Sequence, residues 1–239
     1  MTKEQTTILK GIAISMMLFL HLFSNQTLFI EENISSILWI KGVPLATILT
    51  RLCDPVDIFL LCSGYGLYYK YLSKKLSYNQ GLKRIIRLYF NYWLILFIFV
   101  SLGLIFIPKL FPFNLNILLK NITGWDVNQY NHPAWFILPY SLLCITSQYI
   151  FKFIDSFGSK TILAISFVLA VFSMFIISRY IAPNNAHHDW YSIIFTYFDL
   201  LFAFILGAVI CRKNKENNII NNWLYNNQKF VYLFIIMGG

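Results

Sequence analysis

Apolar residues along this chain gather into runs about as long as a bilayer is thick, separated by short stretches rich in Asn, Lys and Ser. A helix rises about 1.5 Å per residue, so roughly 20 apolar residues cross a hydrocarbon core of about 30 Å. Six such runs lie at roughly 8–28, 50–69, 85–107, 133–151, 161–182 and 192–211. A seventh opens near Lys229 and reaches Gly239 with about half the length a span requires. The pattern predicts an all-α fold: a polytopic integral membrane helix bundle of six full spans plus a truncated seventh. No long linker, low-complexity tail or internal repeat interrupts it. Residues 1–239 therefore read as one membrane domain, cut short at its C-terminal end.

Composition agrees with the pattern. Hydrophobic residues make up 58% of the chain and charged residues only 12%, where a soluble protein carries about 25% charged residues. The net charge of +9 raises the question of nucleic acid. The basic residues recur between apolar runs instead of forming one basic domain, so nucleic acid is excluded as a partner and topology explains the charge. Fourteen of the nineteen Lys and Arg residues fall on the side that holds the N-terminus. Basic loops stay in the cytoplasm, so the N-terminus is expected there. The cysteines at 53, 62, 144 and 211 are scattered without a Cys-x-x-Cys pair, and no disulfide framework or metal site is expected from them. His187-His188-Asp189 lacks a further acidic ligand at useful spacing and predicts no metal either.

Candidate chemistry begins in the first run, which contains Lys10 and His21. An ionisable side chain inside a span usually faces a protein-lined cavity and marks function. Between these two residues a helix advances about 16.5 Å and turns through about 1100°, within about 20° of three full turns. They share one stripe, the cation near the inner face and the imidazole deeper. A long anionic cofactor reaching into the membrane requires that arrangement. On the expected boundaries His21 lies about seven residues, or roughly 10 Å, below the outer end of its span.

Asp57 in the second run falls at a similar depth, with Asp54 one turn above it. A carboxylate there is placed to fix the tautomer of His21 and stabilise its protonated form. The competing reading puts Asp54 and Asp57 at a wet helix mouth beside a kink at Pro55. The basic stretch from Lys70 to Arg87 ends in Lys83-Arg84-Ile85-Ile86-Arg87. Arg suits bidentate phosphate contacts, although topology and anionic lipids account for the same residues. His132 and Trp135 stand at the outer end of the fourth run, as an interfacial anchor or as the mouth through which a sugar enters. Asp199, within the sixth run, must face protein or water.

Four segments, in order, resemble the membrane domain of the acyltransferase 3 family, whose members move acyl groups onto carbohydrates at the cell surface. They are Leu9-Lys10-Gly11-Ile12-Ala13 continuing to Leu20-His21, Val56–Tyr65, Lys83–Leu88, and Ala134-Trp135-Phe136. Phe202–Gly207 fits more weakly. The family pattern in the first span is an Arg, ten residues, then a His held to be catalytic. Here the histidine is His21 and the arginine position is Lys10, which keeps the charge and loses the bidentate fork. The family domain usually has about ten spans, so the resemblance implies that the last few lie beyond this chain.

The resemblance implies an O-acyltransferase using acetyl-CoA from the cytoplasm, with no metal, and a hydroxyl of a cell-surface or lipid-linked carbohydrate as acceptor. Its phosphates would meet Lys10, Arg84 and Arg87. His21 would act as general base or accept the acyl group, with Asp57 orienting it. Asp54, His132 and Trp135 would meet the acceptor. The expected setting is the plasma membrane of a bacterium, with the lipid bilayer as a partner; a homo-oligomer is compatible with this reading. The rival function is a transporter or flippase whose intramembrane His and Asp relay protons or bind a polar solute, and a third reading is an inactive truncated family member.

Overall fold

The computed structural model describes residues 1–25, 36, 38–74, 78–182 and 189–217. Helix α1, Lys3–Phe23, opens with a capping box. Gln5 donates its backbone N–H to Thr2 Oγ1, and Thr2 returns its own to Gln5 Oε1. Two short paired strands, β1 (Trp39–Ile40) and β2 (Val43–Pro44), lead into helix α2, Leu45–Thr50. Helix α3 spans Pro55–Leu72 and α4 spans Tyr78–Phe106. Two small helices follow, α5 (Leu115–Thr123) and α6 (Asn128–Asn131). A 3₁₀ turn at His132–Ala134 then leads to α7, Ile137–Phe157. Helix α8, Ser159–Ile176, runs into a π-helical turn at Ile177–Ile181, and α9 spans Trp190–Asn217.

Among the described residues, five helices are long and apolar enough to cross a membrane: α1, α4, α7, α8 with its π turn, and α9. The region expected to hold the second span is helical over 18 residues as α3, but it is not one of these five. It carries Asp57 near one end and Lys70 near the other. The apolar run beginning near Lys229, expected to open a seventh span, lies outside the described residues, as do His187 and His188.

Two boundaries differ from expectation in ways that move candidate residues. Helix α1 ends at Phe23, where the backbone N–H of Ser24 bonds Leu20 O at 2.9 Å. The polar Ser-Asn pair that follows competes for backbone hydrogen bonds and favours a helix end. His21 therefore sits in the last turn of α1, two residues from its end. The second correction concerns α3, which starts at Pro55 instead of near Thr50. Asp54 is its N-cap, accepting the backbone N–H of Asp57 at 3.2 Å. Proline at the first helical position leaves no donor unpaired there, so Pro55 begins the helix and does not kink it.

The centre of the bundle is α3 against α9. Gly64 and Gly207 let the two backbones touch, because a Cβ at Gly64 would lie 1.9 Å from Phe204 O and one at Gly207 only 2.1 Å from Leu61 O. Close approach over small residues is how helices associate where lipid offers no hydrophobic gain. Around this crossing Leu60, Leu67, Tyr68, Phe151, Phe204 and Ala208 form the main core. A second core joins Tyr92, Leu96 and Val100 of α4 to Val127, Tyr130 and Ile137. Three α4 side chains hold α5 there. Tyr92 OH donates to Asn121 O, Trp93 Nε1 to Ile122 O and Tyr89 OH to Thr123 O, at 2.9, 2.8 and 2.7 Å. Carbonyls in the last turn of a helix need external donors, and these aromatic side chains provide them.

Candidate active site

Between α1, α3, α4 and the start of α7 lies a cavity of about 870 Å³. Its wall on α4 is the stripe Gln80, Lys83, Arg84, Arg87, Leu88 and Asn91, positions that recur every three or four residues and so share one helix face. From α1 come Lys10 and Met17, seven residues apart on the stripe that continues to His21. Helix α3 contributes Val56 in its first turn through Ser63 to Lys70 near its end. That is about 21 Å along the axis at about 1.5 Å per residue. Phe136 and Tyr140 close the fourth side.

The cavity gathers five cations: Lys10, Lys70, Lys83, Arg84 and Arg87. Among the described residues none of the five is in an ion pair. Arg212 is different, since its Nη1 lies 3.6 Å from Asp155 Oδ1 and also donates to Ile154 O. Arg84 is not at a rim. Its Nη1 donates to Ser63 Oγ at 3.1 Å, halfway along α3, and Ser63 Oγ in turn is 2.9 Å from Tyr140 OH. Gln80 Oε1 is enclosed without a hydrogen-bond partner among the described residues. A chamber with surplus positive charge and an unused carbonyl oxygen suits an anionic ligand that also carries N–H or O–H donors.

The structure thus brings together Lys10, Arg84 and Arg87, the three residues singled out for phosphate binding. His21 is exposed in the last turn of α1, one turn beyond Met17. Helix α2 packs beside it, where Thr47 Oγ1 donates to Phe23 O at 2.9 Å. Asp57 lies in the first turn of α3, next to the cavity residue Val56. No hydrogen bond or ion pair joins His21 and Asp57. The carboxylate is instead within electrostatic reach of Asp54 and of Asp199 on α9. Asp199 keeps its Oδ1 enclosed without a partner among the described residues. His132 and Trp135 are exposed and do not line the cavity; Trp135 stacks edge-on against Phe136, which does.

Sequence reading passed over several residues that matter here. Gln80 and Asn91 extend the Lys83–Arg87 stripe by one turn at each end, so helical spacing alone identifies them. Tyr140 had no local signal, since it resembles any aromatic residue near a span end. Asp155 was also passed over. It accepts from Tyr68 OH and Tyr71 OH at 3.0 and 2.9 Å, as well as pairing with Arg212. Asn214 Nδ2 donates to Tyr65 OH at 3.0 Å, and the N-terminal ammonium donates to the same hydroxyl.

The segments that carried the family resemblance meet in space. Lys10, Ser63, Arg84 and Phe136 all line one cavity, and the weaker Phe202–Gly207 segment supplies the backbone contact of Gly64. A family model described as an acyltransferase domain matches residues 6–237, nearly the whole chain. No curated protein and no solved structure matches it. The chain belongs to the acyltransferase 3 family, with apolar helices of membrane-spanning length.

Proposed function

We propose that this protein is a membrane O-acyltransferase that takes an acetyl group from cytoplasmic acetyl-CoA and transfers it to a hydroxyl of a cell-surface or lipid-linked carbohydrate. The observation that carries the reading is the cavity in which Lys10, Arg84 and Arg87 converge with no ion-pair partner among the described residues. Unpaired positive charge inside a helix bundle is costly and is retained for a ligand or pathway. In this reading the three cations bind the donor phosphates. The acyl arm lies along the wall from Ser63 toward Met17 and Val56, which puts the thioester near the α1 end that bears His21.

His21 takes the proton of the acceptor hydroxyl while that oxygen forms a bond to the acyl carbon. The carbon–sulfur bond breaks, and the thiol of CoA leaves with a proton. Asp57 and Asp54, at the same end of the molecule, favour a protonated imidazole and offer acceptors to sugar hydroxyls. His132 and Trp135 belong to the approach of the acceptor. The N-terminus is cytoplasmic, so the basic end of the cavity opens toward the donor.

The test is release of free CoA from acetyl-CoA by purified protein in lipid nanodiscs, together with mass spectrometry of surface glycans from cells with and without the gene. Acceptor-dependent CoA release and loss of glycan acetylation are expected. Solute- or proton-coupled flux without CoA release would support a transporter instead.

A further inference from the structure

We propose that Ser63 and Tyr140 are positioning residues for Arg84, fixing its guanidinium as a phosphate-binding fork on the cavity wall. This rests on the acyl-CoA reading of the cavity. A guanidinium presents five N–H donors on a flexible stem, and its value for a phosphate lies in the orientation of the planar fork. Arg84 has no acid to orient it among the described residues. What holds it is a neutral hydroxyl: Nη1 donates to Ser63 Oγ at 3.1 Å. Ser63 bonds Tyr140 OH at 2.9 Å, and Tyr140 reaches the Cys144 thiol one turn further along α7.

The anchoring therefore crosses three helices. The serine comes from α3, the arginine from α4 and the tyrosine from α7. Local packing supports the same placement. A Cβ at Gly66 would lie 3.5 Å from Arg84 Nη2, so the guanidinium rests along the glycine side of α3. A Cβ at Gly81 would lie 3.0 Å from Cys144 O, which fixes the first turns of α4 against α7. Hydroxyls suit this task because they orient the guanidinium without neutralising it. A carboxylate in the same place would compete with the phosphate for the charge.

The test compares two donors. Acetyl-CoA carries phosphates and acetyl-pantetheine carries none. Ser63→Ala and Tyr140→Phe should each raise KM for acetyl-CoA, Ser63→Ala by roughly 10-fold or more, the range expected when a hydrogen bond to a charged group is lost, while kcat changes little. Turnover of acetyl-pantetheine should fall far less than that of acetyl-CoA, and Ser63→Thr, which keeps the hydroxyl, should restore the acetyl-CoA value. In an Arg84→Ala background neither substitution should weaken CoA binding further, because residues acting through one group are non-additive. Equal losses on both donors, or additive losses in that background, would overturn the positioning role. Wild-type binding of CoA with unchanged affinity in both variants would overturn it alone. Failure of the wild-type protein to bind CoA would overturn the donor reading as well.

Discussion

The Cβ that Gly64 lacks would stand 1.9 Å from the carbonyl oxygen of Phe204. This contact sets the distance between α3 and α9 and so positions one long wall of the cavity. A backbone carbonyl cannot swing aside as a side chain can. Gly64→Ala should therefore push the helices apart, with an overpacking cost of about 1–3 kcal/mol or more. Thermal unfolding of purified protein in detergent should show a lower Tm. Gly66→Ala meets only the far end of Arg84 at 3.5 Å and should melt close to wild type. Equal melting of Gly64→Ala and wild type would contradict the close crossing.

His21→Ala should abolish transfer and leave membrane insertion intact. The side chain is exposed in the last turn of α1, so removing it leaves no void and no unsatisfied partner. Loss of a general base typically costs on the order of 10²–10⁴-fold in rate. Surface-glycan acetylation, measured by mass spectrometry in a strain lacking the native gene, reads the outcome. Wild-type acetylation by the variant would remove His21 from the chemistry.

Asp57 has two candidate roles that mutation separates. Asp57 is half-buried at the start of α3, where its carboxylate, when ionised, complements the positive end of the helix dipole. In the proposed chemistry it also favours the protonated form of His21. Asp57→Asn keeps the size and removes the charge, so transfer should slow with only a small change in Tm. Combined with His21→Ala it should produce little further loss of residual activity, because coupled groups fail to add. Additive losses would leave Asp57 as a helix-terminus residue.

The parts of the fold and site that are legible in the sequence are those written locally. Helical periodicity puts Lys10 and His21 on one stripe, and the cavity residues Lys10 and Met17 lie on it. The spacing of Lys83, Arg84 and Arg87 likewise marks one face of α4. Helix ends were less legible. Hydropathy continued the first run through Ser24 and Asn25, whereas backbone capping ends α1 at Phe23. Hydropathy also began the second run near Thr50, although Asp54 and Pro55 form a sequence signature for a helix start. What a single sequence does not show is which helices touch. The Arg84–Ser63–Tyr140 chain joins residues 21 and 77 positions apart, and the partners of Asp155 come from α3 and α9. Such pairings depend on helix packing and leave no periodic trace.

Binding of CoA to purified wild type, Lys10→Arg and Lys10→Glu is the most direct test of the central claim, because Lys10 is the cation that α1 brings into the cavity. Isothermal titration in nanodiscs at low salt reads the affinity. Lys10→Arg keeps the charge and adds a planar fork, so it should bind CoA as tightly as wild type or more tightly. Lys10→Glu places a negative charge among the phosphate-binding residues and should weaken binding severely, with a loss that shrinks as salt screens the charges. Equal affinity of wild type and Lys10→Glu would contradict the assignment of this cavity to the acyl donor.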